Sequence, residues 1–420
     1  MRISSHPIGS ESHLAPRYLD EPREGSARCR GLFLVFAIVA ASIALRPPLT
    51  VIGPLSDTVH MSTGLSSSAI GVLTTLPLII FMLLSTQVPR ISRRLGIEGA
   101  MLVAFVLVAL GSLMRWVPST LALYLGTAVL ACGLTVPNVL LPSIIRRDFP
   151  SRIGSMTSMY TTLMAGAAGV ASFLALPLAI DVGWGWRVTA ASTGLLAAIA
   201  ALAWLPLTRV SQQASARPAE QNPLWRSSTA WWVALFFATQ TLTFYSVVAW
   251  LVPVLTSKHL TPAVSGAFLG GFSVVGIASS LLAPTLAARQ RSQSAIAAAF
   301  GGIQVVGVVG LASANDMTAG FFALVFGMGA AGSFAVAFAL FGLRAPNHKM
   351  SSQLSGMSQT VGYGAAAVGP ILFGYFHDLF GNWRVLLGTL VVLAVASIAL
   401  GILAGRPKFV PAGVTGADHP

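Results

Sequence analysis

Arg46 stands inside an apolar stretch of the chain, and a guanidinium there offers one kind of chemistry. Its planar fork of N–H donors holds a small anion or an electron-rich group such as cyanate, carboxylate or nitro. Arg46 lies about fourteen residues into the run 32–55, which leaves roughly 13 Å of helix to the far end. That depth exceeds an easy snorkel, although the adjoining Pro47-Pro48 pair shortens the reach. A charge so deep costs at least about 2.5–3.5 kcal/mol on insertion scales, so it should face the protein interior and have a partner. The 12 acids offer none: Glu11, Asp20, Glu21, Glu24, Asp57, Glu98, Asp148, Asp181, Glu220, Asp316, Asp378 and Asp418 all fall in tails, loops or the ends of apolar runs. Two readings remain. A solute supplies the missing charge, or Arg46 donates to carbonyls freed by the two prolines and caps a broken helix.

Other polar side chains in apolar runs carry the same pair of readings. Asn138 sits between Pro137 and Pro142, where backbone carbonyls are partly unpaired; it orients solute or bonds one helix to another. Tyr245 and Trp250 wall a cavity or pack as ordinary aromatics. Gln240 and Gln359, far apart in the chain, hydrogen-bond a solute or a neighbouring helix, and Tyr160 joins them as a candidate. The Gly-rich stretches 166–169 and 362–374 read as sites of close helix approach. No other chemistry is visible. The 7 His lie in loops or tails, so no proton relay crosses the runs. No His/Cys/Asp grouping has metal spacing and no Gly-rich loop precedes a phosphate-binding Lys, so neither metal nor cofactor is expected, nor an enzyme.

These residues need elements to position them, and composition says which. Of 420 residues, 55% are hydrophobic and 9% charged, against roughly a quarter charged in soluble proteins. Too little polar surface remains to cover a soluble globule, and 2 Cys exclude a disulfide scaffold. Twelve runs approach or exceed the roughly 20 apolar residues that span a bilayer: 32–55, 66–88, 97–114, 119–145, 153–179, 185–206, 229–256, 263–287, 295–313, 318–342, 353–376 and 384–405. None alternates as an outer-membrane strand would. The net charge of +13 is a topology signal: twenty of the 25 Lys and Arg fall on the side of the termini, four on the other, and Arg46 is left within a run. Both termini are therefore expected in the cytoplasm. Basic residues dispersed over loops also exclude nucleic acid as the partner.

The polar stretch 207–228 divides the chain six runs plus six, and the halves echo one another. Asp181 precedes Arg187 before the sixth run as Asp378 precedes Arg384 before the twelfth, each Arg beside a Trp suited to the membrane interface. Pro89 and Arg93-Arg94-x-Gly96 follow the second run as Pro284 and Ala288-Arg289-x-Arg291 follow the eighth. Gly53-Pro54-Leu55 has its counterpart in Val252-Pro253-Val254. Duplicated six-helix halves around a midplane cavity are a transporter plan with alternating access. The expectation is an all-α polytopic membrane protein of twelve transmembrane helices in two pseudo-symmetric halves. Its parts would be a tail 1–30, halves 31–206 and 229–405, the linker 207–228 and a tail 406–420.

That architecture resembles the major facilitator superfamily over the whole chain except the tails. The family's loop between spans two and three reads Gly-x-x-x-Asp-Arg-x-Gly; here Arg94 and Gly96 match while Pro89 and Arg93 depart, removing the Asp that helps latch the cytoplasmic side. The segment Leu45 to Leu55, the Pro137 to Pro142 segment followed by Arg146-Arg147-Asp148-Phe149-Pro150, and the Pro89 loop are similar to the cyanate permease/2-nitroimidazole transporter family. The resemblance implies a monomeric carrier in the bacterial inner membrane, moving a small anion or polar nitrogen-containing solute past Arg46, or exporting nitroimidazole-like compounds. It points to Arg94, Gly96, Arg146, Arg147 and Asp148 as gating residues, although the arginines also serve topology.

Overall fold

The computed structural model describes residues 24–208 and 223–411. Most of the expected tails and linker, with Glu11, Asp20, Glu21, Glu220 and Asp418, lie outside the described residues, as does the side chain of Asp57. Among the described residues every regular element is helical. The first six passes comprise α1 (Glu24–Ala44), α2 (Pro47–Thr50), α3 (Ser56–Thr63), α4 (Ser67–Leu84), α5 (Val88–Leu95), α6 (Ile97–Met114), α7 (Thr120–Asp148), α8 (Ile153–Leu176) and α9 (Gly185–Thr208). The others are α10 (Ser228–Thr256), α11 (Pro262–Ala288), α12 (Ser294–Ser313), α13 (Asp316–Leu343), α14 (His348–Phe380) and α15 (Arg384–Ala404).

Ten of these elements are long and apolar enough to cross a membrane, and the bent pair α4/α5 makes an eleventh. The twelfth expected pass is α14, 33 residues long but less apolar because serines, Gln353 and Gln359 line its first half. The expected runs differ from the helices in two places. The run 32–55 is not one helix: Pro47 and Pro48 supply no N–H, so α1 ends at Ala44, α2 lasts one turn and α3 restarts at Ser56. The run 66–88 ends at Leu84, and α5 leaves at 68° after a turn that precedes Pro89. α5 buries Val88 and Ser92 and exposes Arg90, Arg93 and Arg94, the pattern of an interfacial helix.

Helix starts are set by capping residues. Ser66, Ser119, Ser227, Thr261 and Asn347 each accept a bond from the N–H three residues on. Lateral packing relies on small residues. At the α6–α7 crossing, Gly111 and Gly126 meet so closely that a Cβ on Gly126 would lie 2.6 Å from the Gly111 carbonyl oxygen. Gly126→Val is therefore expected to destabilise the protein by about 1–3 kcal/mol through overpacking. Thermal melting in detergent checks this against Gly388→Ala in α15, where a Cβ meets open space and the midpoint should not fall.

Helices before the 209–222 segment pack chiefly on one another (α6 on α7 and α9, α1 on α8 and α9), and those after it do likewise (α13 on α11 and α12, α10 on α14 and α15). The two groups meet through α8 with α11 and through α14 with α4 and α7. Besides a Gln359–Asn138 bond deeper between α14 and α7, four polar contacts join those pairs: Ser158 with Thr285 at 2.7 Å, Thr161 to the Ser280 carbonyl at 3.3 Å, Thr360 to the Met82 carbonyl at 3.0 Å and Ser143 to the His348 carbonyl at 2.7 Å. All four lie toward the face that carries both ends of the described chain, called the terminal face below. The groups are closed against each other there.

Candidate functional site

Arg46 occupies the break between α1 and α2. Its carbonyl accepts the N–H groups of Leu49 and Thr50 at 2.9 and 3.1 Å, which fixes the short α2 turn beyond it. Its side chain points away from that turn and crosses to the other helix group. Nη1 donates to the Tyr245 hydroxyl of α10 at 3.2 Å, and the residue keeps 9% of its surface exposed. The phenols of Tyr363 from α14 and Tyr160 from α8 lie within reach of its field. The Tyr245 and Tyr363 rings meet edge-on at 6.5 Å, Tyr363 packs on Phe81 at 4.9 Å, and Tyr160 on Phe338 at 5.6 Å. One tyrosine thus bonds the guanidinium, and two more from other helices lie near enough for their hydroxyls to act on its charge.

Among the described residues no carboxylate completes the group. Ion pairs among the described residues join Arg147 to Glu98 and Asp148, and His377 to Asp378. Nor does the Arg46 side chain bond the broken span, whose later carbonyl is met by another arginine. Arg115, expected among the few basic residues of the far-side loops, is instead 1% exposed at the end of α6. Its Nη1 donates to the Pro48 carbonyl at 2.6 Å, and its Nε and Nη2 donate to Thr127 Oγ1 at 3.3 and 3.1 Å. The Pro48 carbonyl takes no backbone N–H as the chain turns out of α2, so Arg115 satisfies a carbonyl that this short helix leaves open.

The buried amides divide between bonded and unbonded atoms. Pro142 cannot donate to the Asn138 carbonyl four residues back, and Gln359 Nε2 of α14 does so instead at 2.8 Å while also reaching Ser355 Oγ at 2.9 Å. Asn138 Nδ2 bonds the Leu134 carbonyl at 3.0 Å, and Gln240 Nε2 bonds Thr239 Oγ1 at 3.2 Å. The side-chain oxygens of Asn138, Gln240 and Gln359 and the hydroxyls of Tyr160 and Tyr363 are buried with no partner among the described residues. Such atoms are costly unless something polar visits them. Gln359→Leu keeps the volume but orphans the Asn138 carbonyl, so it is expected to lower stability by about 1–3 kcal/mol. Chemical-denaturant melts in detergent measure it; an unchanged midpoint would leave that bond without weight.

Trp250 is not brought to Arg46. Its Nε1 donates to the Pro370 carbonyl at 2.9 Å, and its ring packs on Trp383 at 5.1 Å in a separate apolar cluster. On the terminal face, Arg147 of α7 bonds Glu98 at 2.6 Å and Asp148 at 3.0 Å. Arg146 reaches the Pro346 carbonyl across the two groups at 3.4 Å. Gly96, at φ +75, makes the turn between α5 and α6, a conformation strained for other residues, and Arg94 projects from α5 as an exposed side chain. Three residues escaped the sequence reading. Tyr363 was hidden between Gly362 and Gly364, where a polar aromatic among small residues in a span is a usable signal. Glu98 shows only as an acid at the start of a run, and nothing in spacing ties Arg115 to Pro48.

Residues 32–370 match the profile of the Major Facilitator Superfamily. The chain is 35% identical over 382 residues to the 2-nitroimidazole transporter of Escherichia coli (strain K12), covering 90% of this chain and 96% of that protein. It is 24% identical over 353 residues to the cyanate transport protein CynX of the same organism, covering 83% and 91%. In fold it superposes on the transporter FucP, crystallised in the outward conformation, with a TM-score of 0.72 at 13% identity over 89% of this chain and 97% of that one. Two helix groups, a broken first span and a buried guanidinium reaching from one group to the other thus accompany a match over most of the chain: it belongs to the Major Facilitator Superfamily, in the cyanate permease and 2-nitroimidazole transporter branch, and is a multi-pass membrane transporter rather than an enzyme.

Proposed function

We propose that the chain carries a small anion or polar nitrogen-containing solute, cyanate-like in its charge and size, through an alternating-access cycle in which Arg46 holds the solute. The observation that supports this is the state of Arg46 itself: buried, bonded to one tyrosine hydroxyl, with no carboxylate among the described residues and no side-chain bond to the helix it begins. A solute that brings negative charge completes the group. Tyr245 and Tyr160 flank it, and the unbonded oxygens of Asn138, Gln240 and Gln359 take donors from solute or its water. Trp250 serves as packing.

The halves 31–206 and 229–405 rock about this site, joined by the linker 207–228. The tails 1–30 and 406–420 face the cytoplasm, and the protein works as a monomer in the bacterial inner membrane. In that orientation the conformation described is closed to the cytoplasm. Opening it must part the α8–α11, α4–α14 and α7–α14 contacts, with Arg146, Arg147 and Asp148 at the rim and Arg94 and Gly96 at the flanking turn. Movement is facilitated, by exchange, or coupled to a proton carried by the anion. A second reading is export of nitroimidazole-like compounds. Three tyrosine rings near a guanidinium suit a flat nitroaromatic, and the nitroimidazole transporter is the more similar of the two named relatives, at 35% against 24%.

Uptake and efflux in sealed proteoliposomes with cyanate, small carboxylates and 2-nitroimidazole separate these readings. Carrier-mediated flux of any of them that Arg46→Ala abolishes supports the site. Equal flux by Arg46→Ala and wild type rejects it. External alkalinisation that follows uptake one-for-one excludes simple uniport.

A further inference from the structure

The terminal face holds a second basic grouping that the central site does not use. A cavity of about 340 Å³ opens there, within the range of small-molecule sites, roughly 300–1,000 Å³. It is lined by Arg146 at the end of α7, Arg291 in the turn between α11 and α12, and Arg344 at the end of α13, with Gln293 and Phe409 beside them.

Its floor is knit from the second helix group. The Gln293 N–H donates to the Gly405 carbonyl at 2.8 Å, and the Val410 N–H to the Arg344 carbonyl at 2.9 Å. Arg344 is 3% exposed; its Nη2 donates to Gln293 Oε1 and to the Gly405 carbonyl, while its buried Nε has no acceptor among the described residues. Burial pushes its guanidinium down to about 10, the mark of a cation short of counter-charge. Arg146 has the single long bond to Pro346 at 3.4 Å, and Arg291 is exposed. None of the three is in an ion pair among the described residues; the carboxylates of Glu98 and Asp148 nearby are taken by Arg147.

Three guanidinium groups lining one cavity, with no acid among its lining residues, match the oxygens of a phosphate. We propose that this cavity binds a phosphate group, free or on a lipid headgroup, and that the bound group latches the two helix groups together on the terminal face. Arg146 belongs to the first group and Arg291 and Arg344 to the second. A ligand spanning them binds the closed arrangement better than the open one and shifts the population toward it. The site is separate from Arg46 and does not depend on the solute assigned there.

The test uses the full-length protein in neutral detergent, with ionic strength held constant by chloride, and follows the melting midpoint against inorganic phosphate. A second arm compares phosphatidylcholine nanodiscs with and without phosphatidylglycerol. A rise in the first arm identifies a free phosphate ligand and a rise in the second a headgroup; two flat arms overturn the proposal. Arg146→Gln and Arg291→Gln, at positions not fully buried, should each weaken the apparent affinity about tenfold or more, since each loses a charge-assisted bond. Arg46→Gln should leave the affinity unchanged. An effect lost in Arg46→Gln but kept in the other two would place the anion at the central site and overturn the proposal. Spin labels at Ser155→Cys on α8 and Arg289→Cys after α11, in a background with Cys29→Ser and Cys132→Ser, read the latch. The effective anion should enrich the short-distance population; an unchanged distribution rejects the latch.

Discussion

Arg46→Ala should reduce anion flux by at least about 100-fold while leaving the protein as stable as wild type or more so. The flux estimate follows from two charged hydrogen bonds of a guanidinium fork, worth about 1.5–3 kcal/mol each. The stability estimate follows from burial. At 9% exposure Arg46 bears a desolvation cost, and its Tyr245 bond at 3.2 Å is a modest return. A residue kept at a cost to the fold is kept for something else. Initial rates of counterflow in proteoliposomes, with equal amounts of inserted protein, give the first number, and melting in detergent gives the second. Arg46→Lys keeps charge but not the planar fork, so it should retain a measurable fraction of flux for a point-like anion such as cyanate and less for a carboxylate. A large loss of stability in Arg46→Ala would instead mark a structural cap and leave the site unassigned.

Arg46 was legible in sequence because charge inside a span is rare and expensive, and the twelve runs because length and apolarity are what the bilayer demands. What sequence could not supply was pairing. Arg115 ends an apolar run, so hydropathy alone put it in a loop. Only the folded α6 brings it under Pro48, 67 positions away in the chain. Gln359 presented two equal readings until α14 lay beside α7 and its amide met the carbonyl that Pro142 leaves free. Periodicity names the face of a helix but not its neighbour. The bend after α4 was missed because Ser85, Thr86 and Gln87 are uncharged and were counted into the run, although the chain turns there, ahead of the absent donor at Pro89 and of Arg90, Arg93 and Arg94, which need water.

The pairing of Arg115 with the broken span carries the second large effect. Arg115→Met keeps length and bulk but leaves the Pro48 carbonyl buried without a donor, a loss of about 1–3 kcal/mol. Thr127 is less affected, because its hydroxyl already donates to the Leu123 carbonyl at 2.7 Å. The α2 turn should then lose its anchor, and Arg46, which begins that turn, should lose its fixed approach to Tyr245. Substrate KM is expected to rise about tenfold or more, with a smaller change in kcat, because the binding geometry loosens while the alternating contacts on the terminal face are untouched. Thr127→Val removes only the acceptor that holds the Arg115 fork in place and should show the same pattern more weakly. Arg115→Lys retains one donor for Pro48 and should recover most of the stability but not the KM. The combination with Arg46→Ala distinguishes positioning from mere support. The stability loss from Arg115→Met should persist in that background, whereas residual flux should fall no further, since the residue being positioned is gone. An Arg115→Met protein with wild-type KM would show that the break in the first span holds its shape without the arginine, and that Arg46 is aimed by its own helix alone.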